Sequence, residues 1–472
     1  MHTSYYLKRG YPRFKFFLTI FIHKISNDRI NNVMRIHFIG CLGVSMNILM
    51  RICKREGIIV TGSDEDICGH DESNVIGADL VVYSLAINDN NPELSYARKN
   101  GIKTISRAEF LGELSKKYEC VIAISGTHGK TTTTAMLWEI FSNLNPTVHI
   151  GGEYKGQKGQ IGSKAIFITE ACEYKQAFLH LRPNISVILN TQLDHVDCYK
   201  SQQELDLAYN TFDKNSNICI RDLCLYNDMQ KTSGLSKPNI NINNDTNTYN
   251  DLVSTDKTNI LSKYYGCNLN SNNGKYSFDF CKSGNVLGRI KLNCYGLHNA
   301  YNALYAAAIA HTYGLEFGQI KNGIENFSGV SRRFEYLGKF FSKDIYLDYA
   351  HHPDEIKATL KALREMKYKK ITVVFEPHTY SRTITFINEF NDALSEANKT
   401  IITPVFSARE TGNNDCAKLL AKKISNHIDC RYLDKKMDII NEIKTDTSEV
   451  IIFMGAGKID ILARDIIKVY KY

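Results

Sequence analysis

A short glycine-rich loop constrains the fold of this chain more than any other feature. Residues 126–131 read Gly-Thr-His-Gly-Lys-Thr, after the apolar run CVIAIS at 120–125 and before the helical stretch TTTAMLWEIF. A nearly continuous apolar run is typical of a strand that is buried on both faces of a parallel sheet. A glycine turn from such a strand into a helix surrounds phosphate oxygens with backbone N–H groups and the positive end of the helix.

We therefore interpret this stretch as an ATP-binding loop, although its GxxGKT spacing is shorter than that of the usual phosphate loop. Lys130 can neutralise the β- and γ-phosphates, and the Thr131 hydroxyl can hold magnesium. The alternative is a plain glycine turn beside a surface lysine. The candidate ATP-binding residues here are Gly126, Thr127, His128, Gly129, Lys130, Thr131 and Thr132.

Strands alternate with helices along the rest of the chain, which predicts α/β units with parallel sheets and ligands at the carboxyl ends of the strands. The predicted strands are 34–40, 58–64 and 79–87 in a first unit, 120–125, 165–170 and 185–190 in a second, and 344–350, 370–376, 400–406 and 449–457 in a third. The predicted helices include 47–57, 91–101, 298–314 and 354–366. The Asn-rich stretch 237–250 cannot bury much surface and predicts a loop or edge insertion.

We divide the chain accordingly into an N-terminal extension (1–33), a first unit (34–118), a central unit (119–328) and a C-terminal unit (329–472). The extension is basic and aromatic, and its apolar run, 16–22, is too short to span a membrane. We interpret it as an upstream extension or a mis-assigned start, and a weak membrane anchor or targeting peptide is the alternative.

Composition excludes several classes of protein. The chain has 472 residues, a net charge of +8 and 13 cysteines without a CxxC pair. No apolar stretch reaches the ~18 residues of a membrane span. The small positive charge suits anionic small molecules and gives no case for nucleic acid. Scattered cysteines predict reduced thiols in a cytoplasmic protein.

Polar side chains follow two predicted strands of the central unit. Glu170 and Glu173 follow one strand, and Asp194, His195 and Asp197 follow the next. Carboxylates at strand ends could converge on the loop and suit Mg²⁺, whereas a histidine ligand is more natural for Mn²⁺. The alternative is a set of loop residues that bridge turns.

The C-terminal unit carries a second group of polar residues at its strand ends, namely Asp348, His351, His352, His378 and Arg382. Adjacent histidines point apart and no cysteine is close in sequence, so we do not expect zinc. Arg332 and Arg333, near the unit boundary, could reach phosphates across a cleft, since guanidinium suits bidentate anion binding. A solvated basic pair at a linker is the alternative.

The first unit opens with a weaker glycine turn. Gly40 to Ser45 depart from GxGxxG at two glycines, and Asp64 ends the following strand, where a carboxylate could meet a ribose hydroxyl. Dinucleotide binding and a tight structural turn both remain open for this turn.

Taken together, the motifs GTHGKTTTT, TEACE, LDHVDCY, HNAYNA, SRRFE, DYAHHPDEI, FEPHTYSRT and GAGKID resemble those of the Mur ligases over about residues 34–472. The resemblance implies a Rossmann-like UDP-substrate domain, a central ATPase domain of P-loop type and a Rossmann-like C-terminal domain that closes over the site. Within the family, the motifs most resemble those of the members that use L-alanine.

The resemblance also implies the reaction. ATP phosphorylates the lactyl carboxylate of UDP-N-acetylmuramate, and the amino group of L-alanine attacks the acyl phosphate, so that the protein mainly positions substrates and neutralises charge. We expect ATP, Mg²⁺ (with Mn²⁺ as the alternative) and these small molecules as ligands, and a monomer or dimer.

Matching the family motifs assigns the site residues. Lys130, Glu170, His195, Arg333, Asp348 and His352 would be catalytic, with Thr131, Glu170 and His195 on the metal. Asn299, Asn302, Arg333 and Asp348 would bind ATP. Gly43 and Ser84 would contact the UDP-sugar, and His378 and Arg382 would lie near the amino acid.

The sequence departs from the family pattern at Cys172, where a carboxylate is usual, at Thr379, where arginine is usual, and in the first glycine turn. The alternatives are a ligase that attaches a preformed tripeptide to the same UDP-sugar, folylpolyglutamate synthase, and a nucleotide-binding regulator without catalysis. The segment PHTYSRT resembles the ligases that add L-alanine more than it resembles those that add a tripeptide.

Overall fold

The computed structural model describes residues 33–194, 198–227, 264–408 and 410–469. They form three α/β domains with three mainly parallel sheets and a small antiparallel one. The expectations for residues 1–32 and for the Asn-rich stretch 237–250 lie outside this part of the chain. No helix of the described ranges is long and apolar enough to cross a bilayer.

The first domain is a four-stranded parallel sheet in the order β2-β1-β3-β4. Its strands are Arg35–Ile39 (β1), Ile59–Ser63 (β2), Leu80–Tyr83 (β3) and Lys103–Ser106 (β4), and its helices are Val44–Arg55 (α1), Pro92–Lys99 (α2) and Arg107–Ser115 (α3). A capping box starts α3, because the Ser106 hydroxyl accepts a hydrogen bond from the Glu109 N–H and the Glu109 carboxylate accepts one from the Ser106 N–H.

The middle domain places β5, the strand before the glycine-rich loop, at the centre of a five-stranded parallel sheet in the order β6-β7-β5-β8-β9. Its strands are Cys120–Ser125 (β5), Thr147–His149 (β6), Ile166–Glu170 (β7), Ile185–Ile188 (β8) and Ile218–Ile220 (β9). Its helices are Lys130–Ile140 (α4), Gln202–Lys214 (α5), Leu297–Tyr313 (α6) and Phe317–Asn326 (α7). The central position of β5 explains its continuous apolar sequence.

Three antiparallel strands follow in the middle domain: Tyr264–Asn272 (β10), Lys275–Lys282 (β11) and Asn285–Tyr295 (β12). This sheet was not predicted from the sequence. The signal was present in β11, where Tyr276, Phe278 and Phe280 alternate with polar residues and are buried.

The C-terminal domain is a six-stranded sheet in the order β13-β14-β18-β15-β16-β17, parallel except for its edge strand β13. Its strands are Glu335–Phe340 (β13), Lys343–Asp348 (β14), Ile371–Phe375 (β15), Lys399–Ile402 (β16), Asp429–Tyr432 (β17) and Val450–Met454 (β18). Its helices are Pro353–Glu365 (α8), Tyr380–Thr385 (α9), Ile387–Leu394 (α10), Asp415–Ile424 (α11), Lys436–Thr445 (α12) and Ile459–Val469 (α13).

Two predicted elements differ in their bounds from those of the structure. The strand predicted at 79–87 ends at Tyr83, since the Ile87 N–H donates to the Ser84 carbonyl in a turn. The helix predicted at 47–57 begins three residues earlier, at Val44, directly after Gly43. The first and middle domains share one apolar core, which includes Phe38 and Phe110 from one and Phe167 and Tyr209 from the other. This core fixes the first domain against the sheet of the middle domain.

Candidate active site

The glycine-rich loop leaves the carboxyl end of β5 and enters α4 at Lys130. Gly126 and Gly129 have φ of +134° and +87°, a region that favours glycine. A Cβ at Gly126 would lie 2.9 Å from the Cβ of Leu189, and one at Gly129 would overlap the Asn302 amide oxygen. The His128 N–H donates to Asn190 Oδ1 at 2.9 Å, which ties the loop to the end of β8. The loop therefore has the backbone that a phosphate cradle needs.

Lys130 lies inside this loop beside a buried carboxylate. Its Nζ is 3.0 and 2.9 Å from the two carboxylate oxygens of Glu173 and 3.1 Å from the Thr127 carbonyl oxygen. Burial opposes the charge, but Glu173 outweighs burial and raises the pKa of Lys130. The ammonium is thus held charged at the mouth of the loop, where a phosphate would compete with Glu173 for it.

Glu170 is the last residue of β7 and lies next to the loop, close to Thr131. Its Oε1 accepts a hydrogen bond from the Gly151 N–H at 2.6 Å. The Thr131 hydroxyl lies close enough to lower the pKa of the carboxyl group. Burial raises the pKa of Glu170 despite Lys130 nearby. A buried carboxylate beside a hydroxyl fits a hard cation such as Mg²⁺, which would favour the ionised form. His195 and Asp197 lie outside the described residues, so the predicted histidine ligand is not placed here.

Helix α6 supplies the two predicted asparagines. Asn302 Nδ2 donates to Asn299 Oδ1 at 3.1 Å, and Asn299 Nδ2 donates to the Tyr295 carbonyl at 2.7 Å. Both residues are buried, and Asn302 abuts Gly129. The asparagine pair therefore lies against the underside of the loop.

The C-terminal domain contacts the loop through Glu355. No role for this residue was predicted from the sequence. Glu355 Oε1 lies 3.0 Å from His128 Nδ1 and 3.8 Å from Arg333 Nη1, and Oε2 lies 3.3 Å from His351 Nδ1. Burial opposes ionisation of Glu355, but His351, His128 and Arg333 bring its pKa well below the ordinary value. Its only sequence signal was the helix-start pattern HHPDE.

Arg332 and Arg333 differ in their contacts. Arg332 Nη2 donates to the Gly455 and Gly457 carbonyls at 3.1 and 2.9 Å, so its guanidinium holds the turn after β18. Arg333 lies over the Tyr349 ring at 4.8 Å and beside Glu355. Of the two arginines, Arg333 is the one directed at the domain junction.

Asp348 ends β14 in the same region. Its Oδ2 accepts a hydrogen bond from the Thr359 hydroxyl at 2.6 Å, and its Oδ1 accepts one from the Ala350 N–H at 3.2 Å. Burial raises the pKa of Asp348 to about 6, although Thr359 and Arg333 act in the other direction.

His352 caps α8 and is buried; its Nε2 finds no hydrogen-bond partner among the described atoms. Its ring lies 5.5 Å from that of His128, across the domain junction. It also lines a cavity of about 380 Å³ with Gln192, Lys357 and Phe386. A small polar substrate bound in this cavity could bring a hydrogen-bond partner to the buried nitrogen.

Arg382 bridges the domains as well. Its Nη2 donates to Asp194 Oδ1 at 2.7 Å, and both side chains are nearly buried. The departure at Thr379 has a structural account: the Thr379 hydroxyl accepts a hydrogen bond from the Arg382 N–H at 3.4 Å and caps the helix that carries this arginine. His378 packs against Phe406 and faces His351 at 5.5 Å between ring centres.

The first domain presents its own candidate site at the start of α1. Gly43 precedes the helix without a side-chain cap, and Ser84 lies beside Gly40, where an added Cβ would be 3.3 Å from the Ser84 Cβ. Asp64 Oδ2 accepts a hydrogen bond from the Leu42 N–H at 3.0 Å. Through this hydrogen bond, Asp64 stabilises the glycine turn.

Three linked α/β domains, with a glycine-lysine loop in the middle domain facing charged residues of the last, define a multidomain nucleotide-dependent enzyme. Three family models match the chain in order: "Mur ligase family, catalytic domain" at residues 35–119, "Mur ligase middle domain" at 124–310, and "Mur ligase, glutamate ligase domain" at 332–457. The chain belongs to the Mur ligase family.

Curated relatives agree over most of the chain. It is 39% identical over 456 residues to the UDP-N-acetylmuramate–L-alanine ligase of Caldicellulosiruptor bescii, covering 90% of this chain and 96% of that protein. It is 38% identical over 456 residues to the enzyme of the same name from Acetivibrio thermocellus, covering 91% and 94%.

Solved structures show the same fold. The UDP-N-acetylmuramate-alanine ligase of Thermotoga maritima superposes with a TM-score of 0.73 at 24% identity, covering 93% of this chain and 99% of that one. A murein peptide ligase from Psychrobacter arcticus superposes with a TM-score of 0.61 at 20% identity, covering 93% and 98%.

Proposed function

We propose that this chain is an ATP-dependent ligase that joins L-alanine to UDP-N-acetylmuramate, in the synthesis of peptidoglycan precursors in the cytoplasm. The observation that carries the proposal is the contact between the two halves of the site. The His128 ring of the ATP loop meets Glu355 at 3.0 Å, and Glu355 also holds Arg333. A bound nucleotide would lie between Lys130 on one domain and Arg333 on the other.

The reaction forms and breaks bonds in two steps. A carboxylate oxygen of the lactyl group attacks the γ-phosphorus of ATP, and the bond to the β-phosphate oxygen breaks to release ADP. The amine nitrogen of L-alanine then attacks the acyl carbon, loses a proton, and the tetrahedral intermediate expels phosphate to leave an amide. Lys130 and Arg333 neutralise charge that builds on the transferring phosphoryl group.

Glu170 and Thr131 would hold Mg²⁺, which supplies further neutralisation of phosphate charge when bound. We assign the same pair to Mn²⁺ as the alternative metal. Asn299 and Asn302 support the loop from below and would face the nucleotide. Asp348 would orient Arg333 for ATP.

We place the amino acid near His352, His378 and Arg382. His352 lines the cavity of about 380 Å³, and its buried Nε2 has no hydrogen-bond partner among the described atoms. Burial lowers the pKa of His352, so its imidazole is neutral near pH 7. Because Nδ1 accepts the Asp354 N–H, Nε2 carries the ring proton and would donate it to an acceptor of the amino acid, such as a carboxylate oxygen. Gly43 and Ser84 would contact the UDP-sugar at the start of α1.

The main alternative function is the addition of a preformed tripeptide to the same UDP-sugar, since a murein peptide ligase shares the fold. The curated relatives at 38–39% identity carry the alanine name over nine-tenths of the chain, which favours L-alanine. We keep a monomer or dimer as the expected assembly.

Phosphate release with an amino-acid panel tests the proposal. With ATP, Mg²⁺ and UDP-N-acetylmuramate present, L-alanine should support turnover well above glycine, L-serine or the tripeptide. Lys130→Ala should lower kcat at least 100-fold, because the charge on the transferring phosphoryl group is no longer neutralised. The control is Lys155→Ala, a surface lysine paired with Glu139 in the same domain. Equal turnover with the tripeptide, or normal turnover of Lys130→Ala, would contradict the proposal.

A further inference from the structure

A cavity of about 610 Å³ lies in the first domain, at the amino ends of its strands. Met34 and Ile58, which line it, directly precede β1 and β2, and Leu80 is the first residue of β3. The strands are parallel, and the glycine turn follows the other end of β1. A molecule in the cavity and a ligand at the glycine turn would therefore lie at opposite ends of the sheet and would not compete.

The walls of this cavity are apolar. Cys53 of α1 and Phe110 and Leu114 of α3 line it, and each is less than one-tenth exposed. All three belong to the apolar core that the first and middle domains share. Protein interiors contain few voids larger than a water molecule, and apolar groups that fill a void restore the contacts that its walls lack. The cavity therefore favours an apolar occupant.

The charged residues at the rim of the cavity are balanced, with three lysines and three glutamates. Glu56 lies 3.7 Å from Lys117. Glu113 lies 2.6 Å from Lys116, and Glu109 closes the capping box of α3. Such a rim selects neither an anionic nor a cationic head group, so the apolar walls select the occupant. This favours a run of apolar side chains over a charged amphiphile.

The described chain begins beside this cavity, since Val33 is 54% exposed and the next residue, Met34, lines the cavity. Residues 1–32 lie outside the described ranges, and their most apolar stretch is 16–22, which reads Phe-Phe-Leu-Thr-Ile-Phe-Ile. Residues 23–33 join this stretch to Met34 and can span up to roughly 36–40 Å. The stretch can therefore turn back into the cavity, and a tethered segment has a high effective concentration there.

We propose that the apolar stretch 16–22 occupies this cavity and covers the amino end of the first-domain sheet. Its phenylalanine and isoleucine side chains pack against Cys53, Phe110 and Leu114, and the basic residues on either side of it stay at the charged rim. The N-terminal extension is then an intramolecular partner of the first domain. The proposal is independent of the proposed function, because it uses no residue of the candidate active site.

Photo-cross-linking of the full chain tests this contact directly. The photoreactive residue p-benzoylphenylalanine in place of Phe17 keeps an aromatic side chain and reacts with neighbouring C–H bonds on irradiation. Peptide mapping by mass spectrometry should find the cross-link on the cavity wall, in peptides that contain Cys53 or Leu114. Ile105→Trp should remove most of this cross-link, because Ile105 lines the cavity and the larger ring would fill it. The control Ile76→Trp adds the same ring at a position that is 64% exposed, and the cross-link should be unchanged.

The midpoint of thermal unfolding of the full chain is the second measurement. Phe17→Asp combined with Ile20→Asp puts two charges on the stretch, which would then leave the cavity. The midpoint should fall by roughly 2–6 °C, the effect of losing the burial of one or two large apolar side chains. The matched control, Tyr5→Asp combined with Tyr6→Asp, changes the same extension outside the stretch and should keep the wild-type midpoint. The KM for ATP should be unchanged in both variants, because the cavity lies at the far end of the sheet.

Four results would overturn the proposal. A cross-link to a second copy of the chain, seen as a dimer under denaturing conditions, would make the stretch an interface between copies. Co-sedimentation of the full chain with vesicles of phosphatidylethanolamine and phosphatidylglycerol, lost in Phe17→Asp, would make it a membrane anchor. An N-terminal mass of the native protein that begins at Met34 would leave the cavity to another occupant. Equal midpoints for the wild type and the variant with both aspartates in the stretch would mean that the stretch does not stabilise the first domain.

Discussion

Two buried carboxyl groups near Arg333 have pKa values displaced in opposite directions. Glu355 faces His351, His128 and Arg333 and accepts hydrogen bonds from two backbone N–H groups, so its pKa is well below the ordinary value. Asp348 is more deeply buried and has fewer compensating partners, and the negative charge of Glu355 adds to the effect of burial, which puts its pKa at about 6. The partners of Glu355 thus favour its ionised form, while burial and the charge of Glu355 favour the neutral form of Asp348.

This difference predicts a pH dependence of stability. Between about pH 4 and pH 6, the unfolded chain has lost the Asp348 proton while the folded protein keeps it, since the ordinary value is 3.8 and the folded value about 6. Stability from this group therefore falls as the pH rises and stays low above pH 6. Asp348→Asn removes the cost, so the variant should gain about 1–3 kcal/mol on the wild type at pH 8 and little at pH 4.

Thermal unfolding midpoints of both proteins from pH 4 to pH 8 check this expectation. Asp354→Asn, at a half-exposed carboxylate of α8, is the control and should give no such trend. If the difference in unfolding midpoint between Asp348→Asn and the wild type did not vary with pH, that result would contradict the raised pKa of Asp348.

At the scale of elements, the start of α8 organises the domain junction. Pro353 occupies the first turn, His352 caps the helix, and Glu355 accepts the His351 and His352 N–H groups in return. The residue that closes the capping box therefore also holds His128 of the ATP loop and Arg333. Local helix formation and site assembly depend on one carboxylate.

Glu355→Gln separates these two roles. The amide oxygen can still accept the backbone N–H groups, but the charge that attracts His128 and Arg333 is lost. We expect the KM for ATP to rise and kcat to fall, each roughly 10-fold, since a charge-assisted contact contributes about 1.5–3 kcal/mol. Steady-state kinetics measure both. Asp354→Asn, one residue away on the same turn, should have near wild-type constants, and similar losses in both variants would point to helix capping alone.

The elements differ in how well the sequence predicts them, for physical reasons. The strand, loop and helix at 120–140 were predictable because β5 is buried on both faces and the loop needs its glycines. The antiparallel strands β10–β12 contain no long continuous apolar run, and the sequence signal of β11 is only the alternation of apolar and polar residues. Glu355 was missed because its sequence is an ordinary helix start; its importance comes from His128, which is 227 positions away in the sequence.

At the scale of the whole molecule, the two domain junctions are chemically different. The first and middle domains share a continuous apolar core, whereas no apolar core of the described residues spans the middle and C-terminal domains. These two domains meet through polar pairs, namely His128 with Glu355, Tyr276 with Glu365, and Asp194 with Arg382, and through small apolar contacts such as Tyr295 with Phe334. Polar interfaces within a chain permit relative motion more readily than apolar ones. The C-terminal domain is therefore the part that we expect to open and close.

The Asp194–Arg382 pair should set the balance of that motion. Both side chains are about one-tenth exposed and 2.7 Å apart, so removing one partner leaves a poorly solvated charge, at a cost of about 3–5 kcal/mol. Arg382→Met should shift the protein toward an open arrangement, with a larger radius of gyration by X-ray scattering and faster amide exchange in α9 and α10. Arg382→Met combined with Asp194→Asn should recover part of the closed population, because no buried charge is left alone. Lys155→Met, at a surface pair inside the middle domain, is the control. Unchanged scattering and exchange in Arg382→Met would mean that the pair does not hold the two domains together.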